Sequence, residues 1–282
     1  MKRLVLDADD LGLAPALTRR VVGLLSRGLV TDVSLLSVGE SFDEAARALA
    51  ATGVGHAGVH LCLVGGERPV SPAERVPSLL SGGLFRKNWA RVAAAIATGR
   101  IRIAEVEQEW EEQVARVARA GLAVTHLDSH QHLHLHPALF PVAIRLARRF
   151  GVPFVRAPRE DDTAAKAPAL SRSRARLLAL LGGRARRLLS RAGLADPPRV
   201  LGLAETGHMT AARWQALLGS LPDGDSEVVI HPGEEDDATR TRYRHWGFEW
   251  QEEAEALESG AVREALAGRG VVACSFADLA VR

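Results

Sequence analysis

Residues 122–137 read LAVTHLDSHQHLHLHP. The opening half is an apolar run of strand character. A period of two places His126, Asp128 and His130 on one face, with Leu127 and Ser129 on the other. His130 stands just past the strand's end, and His132, His134 and His136 continue into a loop before a helix that starts near Pro137. Five of the chain's ten histidines fall in this stretch. A strand that carries titratable side chains to its own end and then turns into a helix is a unit of a parallel α/β fold, where function gathers at strand ends.

The same unit recurs along the 282 residues. Candidate strands are RLVLDA (3–8), TDVSLLSV (31–38), AGVHLCL (57–63), LAVTHLD (122–128), VPFVRA (152–157), RVLGLAE (199–205), SEVVIHP (226–232) and GVVACSF (270–276). Helical patterns lie between them: 15–27, 41–52, 103–120, 141–150, 210–220 and 251–269. The second of these opens with Ser41 and carries Glu44, the spacing of a capping box. About eight strand–helix units predict an α/β chain folded as a distorted (β/α) barrel with parallel strands. Residues 64–102 read as an elaborated loop and 159–198 as a helical insertion. With no repeat and no boundary, the expected organisation is one domain over 1–282.

Composition narrows the class. Hydrophobic residues are 47% and charged residues 25%, ordinary for a globular protein. Cys62 and Cys274 sit far apart in apolar runs, so reduced, buried thiols and a cytoplasmic setting are expected. The start, MKRLVLDADD, lacks the apolar run of a signal peptide, and no stretch is long enough to span a bilayer. The net charge of +2 and the absence of an aromatic platform argue against nucleic acid. One region is strongly basic: 163–193 holds Lys166 and seven arginines with interleaved leucines and no acid. Such a segment either lies on an anionic membrane, through about 171–193, or packs on the barrel with its arginines solvated or paired to a neighbouring copy's Glu234–Asp237.

Four candidate strands end in titratable residues. The first ends in Asp9 and Asp10, adjacent carboxylates that repel unless a cation or proton sits between them; a helix cap is the plainer role for one Asp. The third carries His60, and a lone strand histidine is more often a hydrogen-bonded core residue than a ligand. The fourth delivers His126, Asp128 and His130. The seventh delivers His231 before a Pro-Gly turn. A barrel would bring these ends to one rim. One carboxylate and two imidazoles there suit a divalent metal with open positions for water and substrate. A second carboxylate and another histidine remain for proton transfer. A metal would acidify its water and polarise a carbonyl, chemistry suited to amide or ester hydrolysis.

The motifs LDADDLG (6–12), RGLVTDVSLL (27–36), GVHLCL (58–63), THLDSHQHLHLHP (125–137), EVVIHPG (227–233) and the tail from FEWQEEAEAL to SFADL (248–279) resemble the YdjC-like carbohydrate deacetylase family, which includes chitooligosaccharide deacetylases. The resemblance implies a distorted barrel, Mg²⁺ or a similar ion, and removal of acetyl from an N-acetylated sugar. Carried over motif by motif, it implies Asp10, His60 and His130 as metal ligands, Asp9 as general base and His231 as general acid. His126, Asp128, His132 and His134 would be substrate contacts or partners of the ligands. Leu11 stands where the family commonly has Phe, and Val64 where Thr is expected. GLAETGHMT (202–210) is similar to the deacetylase group associated with hopanoid biosynthesis, which implies a GlcNAc-bearing glycolipid as an alternative to an oligosaccharide. The ligand set by itself suits Zn²⁺, Mn²⁺ or Co²⁺ as well. Two other functions compete: another barrel metallohydrolase such as a phosphoesterase, which commonly needs more carboxylates for paired metals, and a non-catalytic sugar- or lipid-binding protein. A homo-oligomer is compatible with all three.

Overall fold

A computed structural model describes residues 1–159 and 169–281, without the side chains of 169–172 and 174. The first part of the predicted insertion, with Lys166, lies outside the described residues. Eight parallel strands form the central sheet: β1 (Lys2–Leu11), β2 (Asp32–Leu35), β3 (His56–Leu61), β4 (Ala123–Ser129), β5 (Phe154–Val155), β6 (Arg199–Leu201), β7 (Gly224–Ile230) and β8 (Val271–Ala273). Their spatial order is β5-β4-β3-β2-β1-β7-β6, with β8 beside the first residues of β1. Among the described residues β5 and β6 do not pair, so the curled sheet is an incomplete barrel. All the described pairings within it are parallel.

The strands form because Val, Leu and Ile crowd short runs that helices then cover on the outside. From Leu4 to Leu11 every residue of β1 is buried, as expected of a parallel strand enclosed on both faces. The helices are α1 (Pro15–Ser26), α2 (Phe42–Thr52), α3 (Trp89–Ala97), α4 (Ile103–Arg119), α5 (Phe140–Phe150), α6 (Ala169–Arg191), α7 (Ala211–Gly219), α8 (Asp237–Tyr243), α9 (Trp250–Glu258), α10 (Ala261–Gly268) and α11 (Phe276–Ala280). In α4, Val106, Trp110, Val114 and Val117 recur at helical spacing and are buried. Its Glu109 and Gln113 are buried too. Glu109 accepts from the Val70 and Ser71 amides, and Gln113 bridges both backbone groups of Cys62. Polar side chains of a helix thereby fix the loop that follows β3.

Several expectations change. Ser41 precedes α2 but makes no side-chain cap, so the capping box with Glu44 does not form. The helix predicted over 251–269 is two helices, broken at Gly260. Strand six stops at Leu201, and Leu203–Glu205 is a 3-10 turn. The loop 64–102 contains a small hairpin, Leu80–Ser81 with Leu84–Phe85, and α3. Cys62 and Cys274 are free and buried.

The described part of the basic insertion is a packed helix. Ala175, Leu178, Ala185 and Leu189 of α6 are buried, and Arg186 donates to the carbonyls of Ala157 and Pro198. Gly182 is required by this packing, because a Cβ there would lie 1.8 Å from the Pro158 carbonyl oxygen. Leu177 and Leu180 face outward. No helix among the described residues is long and apolar enough to cross a membrane.

Candidate metal and acid–base site

The C-terminal ends of β1, β3, β4, β5 and β7 converge. In a regular strand Asp9 and Asp10 would point to opposite faces. Here the β1–β2 register shifts between Ala8 and Leu11, and Asp10 takes φ 61°. This bulge turns Asp10 toward the site alongside Asp9, at a backbone cost of about 1–3 kcal/mol.

Asp10 Oδ1 lies 2.8 Å from His130 Nδ1 and 3.3 Å from His60 Nε2. One potential ligand atom from each of the three residues falls within 4.8 Å of the others, a spacing that can hold a metal ion. His130 Nε2 and Asp10 Oδ2 are buried without hydrogen-bond partners, and a cation would satisfy such atoms. His60 is oriented from behind: its Nδ1–H donates to Asp128 Oδ2 at 3.0 Å, leaving Nε2 toward Asp10. A carboxylate behind a ligating histidine is the usual way a metal site fixes the ring.

The electrostatics follow from burial and neighbours. Burial alone would raise Asp10, but His130 and His60 outweigh it and hold the carboxyl well below its usual range. Burial opposes charge on His60, yet Asp128 and Asp9 hold the imidazole well above its ordinary value. Loading a metal there must release that proton. Asp9 is pushed up to about 7 by burial and by Asp128, against the pull of Arg156. His231 is held down to about 4, mainly by burial, so it is uncharged at neutral pH.

A cleft of about 280 Å³ opens onto this cluster, lined by Asp9, His60, His130, His231, Trp246 and Phe248 among others. Trp246 packs over His130 with centroids 4.8 Å apart, and Phe248 over His231 at 4.7 Å. Glu253 of α9 anchors the His231 backbone amide at 2.6 Å. Glu67 ties the loop after β3 to the aromatic segment by accepting from Arg242 and from the Tyr243 hydroxyl.

The histidine stretch divides by position. His130 joins Asp10 and His60. His132, at φ 55°, lines the cleft. Asp128 backs His60. His126 and His134 lie behind the cleft and are fully buried. His126 Nε2 is 3.0 Å from Asp7 Oδ2, and its ring stacks on Phe276 at 3.9 Å. Only a glycine at position 58 leaves room for that ring: a Cβ would be 2.2 Å from Nε2. His134 donates from Nε2 to the Arg156 carbonyl and accepts the Ser129 hydroxyl at Nδ1, as a neutral ring held down to about 4 by burial. Both rings are packed and hydrogen-bonded away from the cleft.

Sequence reasoning missed Arg156, Asp7 and Glu227. The site is richer in carboxylates than its strand ends suggested. A polar residue at an inward position of an apolar strand was the available signal: Asp7 in LVLDA, Glu227 in EVVI and Arg156 at the end of VPFVRA. Arg156 is completely enclosed and contacts Asp7, Asp9, Asp128 and Glu227. Two further groupings with metal-like spacing, Asp7–His126–Asp128 and Asp9–His60–Asp128, are therefore already supplied with a cation.

A sequence profile described as YdjC-like protein matches residues 3–268. The chain belongs to the YdjC-like family. It is 33% identical to a mouse protein named carbohydrate deacetylase, over 98% of this chain and 94% of that one. The human protein of the same name is 32% identical, over 98% and 91%. A Brevibacillus brevis carbohydrate deacetylase is 36% identical across 54% of this chain, which spans 58% of that relative's length. Among solved structures, a protein from Enterococcus faecalis V583 described in connection with cellobiose-phosphate cleavage superposes with a TM-score of 0.75 at 25% identity, covering 99% of both chains. The YdjC-like match and this superposition agree with the incomplete parallel barrel.

Proposed function

We propose that this YdjC-like chain is a metal-dependent hydrolase that removes acetyl from an N-acetylated sugar, acting on a linear amide. The observation that carries the reading is the meeting of Asp10, His60 and His130 beside Asp9 in a cleft walled by aromatic rings. The near full-length similarity to proteins named carbohydrate deacetylase supports the substrate class.

Asp10, His60 and His130 would hold the divalent ion, Mg²⁺ by family resemblance, with Zn²⁺, Mn²⁺ or Co²⁺ suited to two imidazoles. When bound, the ion supplies Lewis acidity to the acetamide carbonyl and lowers the pKa of water. Asp9, at about 7, is matched to accept a proton from the attacking water near neutral pH. The water oxygen bonds to the acetamide carbon, and the C–N bond breaks as the nitrogen takes a proton. His231 faces the same cleft uncharged, so it relays a proton to the leaving nitrogen and does not store one beforehand. Acetate and the free amino sugar leave. Trp246 and Phe248 offer ring faces to the apolar side of the sugar.

The carboxylates that a two-metal phosphoesterase would use for its second ion are occupied by the Arg156 guanidinium. A non-catalytic binder would need neither Asp9 nor the ligand set. A lipid-linked sugar is the second substrate reading. It is favoured by an apolar groove of about 200 Å³, lined by Leu133, Pro137, Leu177, Leu178 and Leu181, that shares Trp89 with the cleft. The exposed Leu177 and Leu180 beside the arginines of α6 support a membrane-peripheral contact, and the two free cysteines support a cytoplasmic setting.

The test is acetate release from chitobiose, longer chitooligosaccharides and a GlcNAc-linked lipid, by metal-stripped protein with added divalent ions. Release that requires metal and disappears in His130→Ala is expected. Metal binding without release from any substrate would overturn the reading in favour of a binding protein.

A further inference from the structure

Arg156 is a buried cation of the site that the proposed chemistry does not use. We propose that it is a positioning residue: a single guanidinium that sets the base Asp9 in register with the metal ligand His60. The inference rests on the functional reading above.

The connection is short and fully enclosed. Nη1 and Nη2 of Arg156 grip the two oxygens of Asp9, each at 2.8 Å. Nη1 also lies 2.5 Å from Asp128 Oδ2. That same oxygen accepts from His60 Nδ1. Base and ligand are thus joined through one rigid plane and one carboxylate. The remaining donors anchor the plane away from the cleft, Nε on Glu227 at 2.7 Å and Nη2 on Asp7 at 2.8 Å. The backbone of Arg156 is pinned as well. Its amide donates to the Leu127 carbonyl at 2.8 Å, and its carbonyl accepts from His134 at 2.8 Å. Both contacts reach the segment that carries Asp128 and His130. Arg156 is not among the residues lining the cleft, so it acts on the reaction only through Asp9 and Asp128.

A plain counter-charge for buried acids would be served by any cation. The fork is what a lysine cannot copy: an ammonium is a point charge with three donors and no fixed plane. Loss of the fork leaves charge balance intact and lets Asp9 drift relative to His60. A displacement of about 1 Å at such a group costs on the order of 100-fold in rate.

The experiment is a kinetic double-mutant cycle on the metal-loaded protein, with acetate release and the metal dissociation constant measured on every variant. Arg156→Lys is expected to lower kcat about 10–100-fold, with KM and metal affinity within about threefold of the parent. In an Asp9→Asn background the same substitution should change the residual rate by less than about twofold, because the positioned group is gone. Equal losses in both backgrounds, or a loss in metal affinity in place of kcat, would make Arg156 a structural counter-charge and overturn the proposal. Should Arg156→Lys not fold, Arg156→Gln paired with Glu227→Gln removes one buried charge of each sign and enters the same cycle with the same expectation. A parent without turnover would sink the functional reading and this role with it, whereas turnover with additive losses would sink this role alone.

Discussion

Asp128 offers a direct test of the proposed ligand set. Its Oδ2 accepts from His60 at 3.0 Å, and its Oδ1 accepts the Ser34 hydroxyl at 2.5 Å. The side chain is fully buried. Asp128→Asn keeps its shape. With the amide oxygen turned to His60 and Arg156, the new NH₂ group meets Ser34, whose hydroxyl can accept, so the fold should survive. What disappears is the negative charge behind the His60 ring, and with it the ring's strength as a donor to a cation. Changes of this kind typically lower metal affinity about 10–100-fold, or about 1.4–2.8 kcal/mol. Isothermal titration of stripped protein with Zn²⁺, Co²⁺ and Mg²⁺ reads this directly, since Asp10 and His130 are untouched. An affinity within about twofold of the parent for every ion would refute the reasoning, and the assignment of His60 as a ligand would fall with it.

Other consequences are open to simple assays. Divalent ion should raise the melting temperature, by an amount corresponding to about 2.7 kcal/mol at a hundredfold excess over Kd; a melting curve indifferent to every ion would count against a metal site. Asp9 must be ionised to accept a proton, and its carboxyl is pushed up to about 7. kcat/KM should therefore fall about tenfold per pH unit below that value and level off above it, and a profile flat from pH 5 to 8 would remove Asp9 as base. Gly58→Ala places a methyl 2.2 Å from His126 Nε2, which should cost about 3 kcal/mol or more in urea unfolding. His134→Ala loses two buried hydrogen bonds and leaves a hole, for about 2–4 kcal/mol, while metal affinity should stay within about threefold because the ring lies behind the cleft.

The strands were readable because each is a short apolar run of β-branched and leucine residues, and that pattern survives without tertiary help. Asp10, His60 and His130 were readable as strand-end residues. The device that makes Asp10 face inward was not: a bulge is a register shift against a neighbour, and one strand's sequence does not contain its neighbour. Arg156 escaped for a related reason. An arginine closing an apolar run ordinarily reaches for solvent. This one is enclosed because Asp7, Asp9, Asp128 and Glu227, scattered over three other strands, happen to face it. Ser41 shows the converse. The local pattern satisfies a capping box, yet the chain enters α2 with the Ser41 amide bonded to the Gly12 carbonyl and its hydroxyl unused. Gly260 was passed over because the apolar spacing continues on both sides of it.

The gap between β5 and β6 has a consequence for how such a chain can diverge. In a closed barrel every crossover runs between strands that are paired on both edges. Here the connection that includes α6 lies between β5 and β6, which do not pair among the described residues, while Asp9, Asp10, His60, His130 and His231 come from strands that are paired with one another. The gap behaves like the open jaw of an adjustable wrench. Changes of length in its segment are expected to leave the fixed jaw, the paired strands that bear the candidate residues, at its setting.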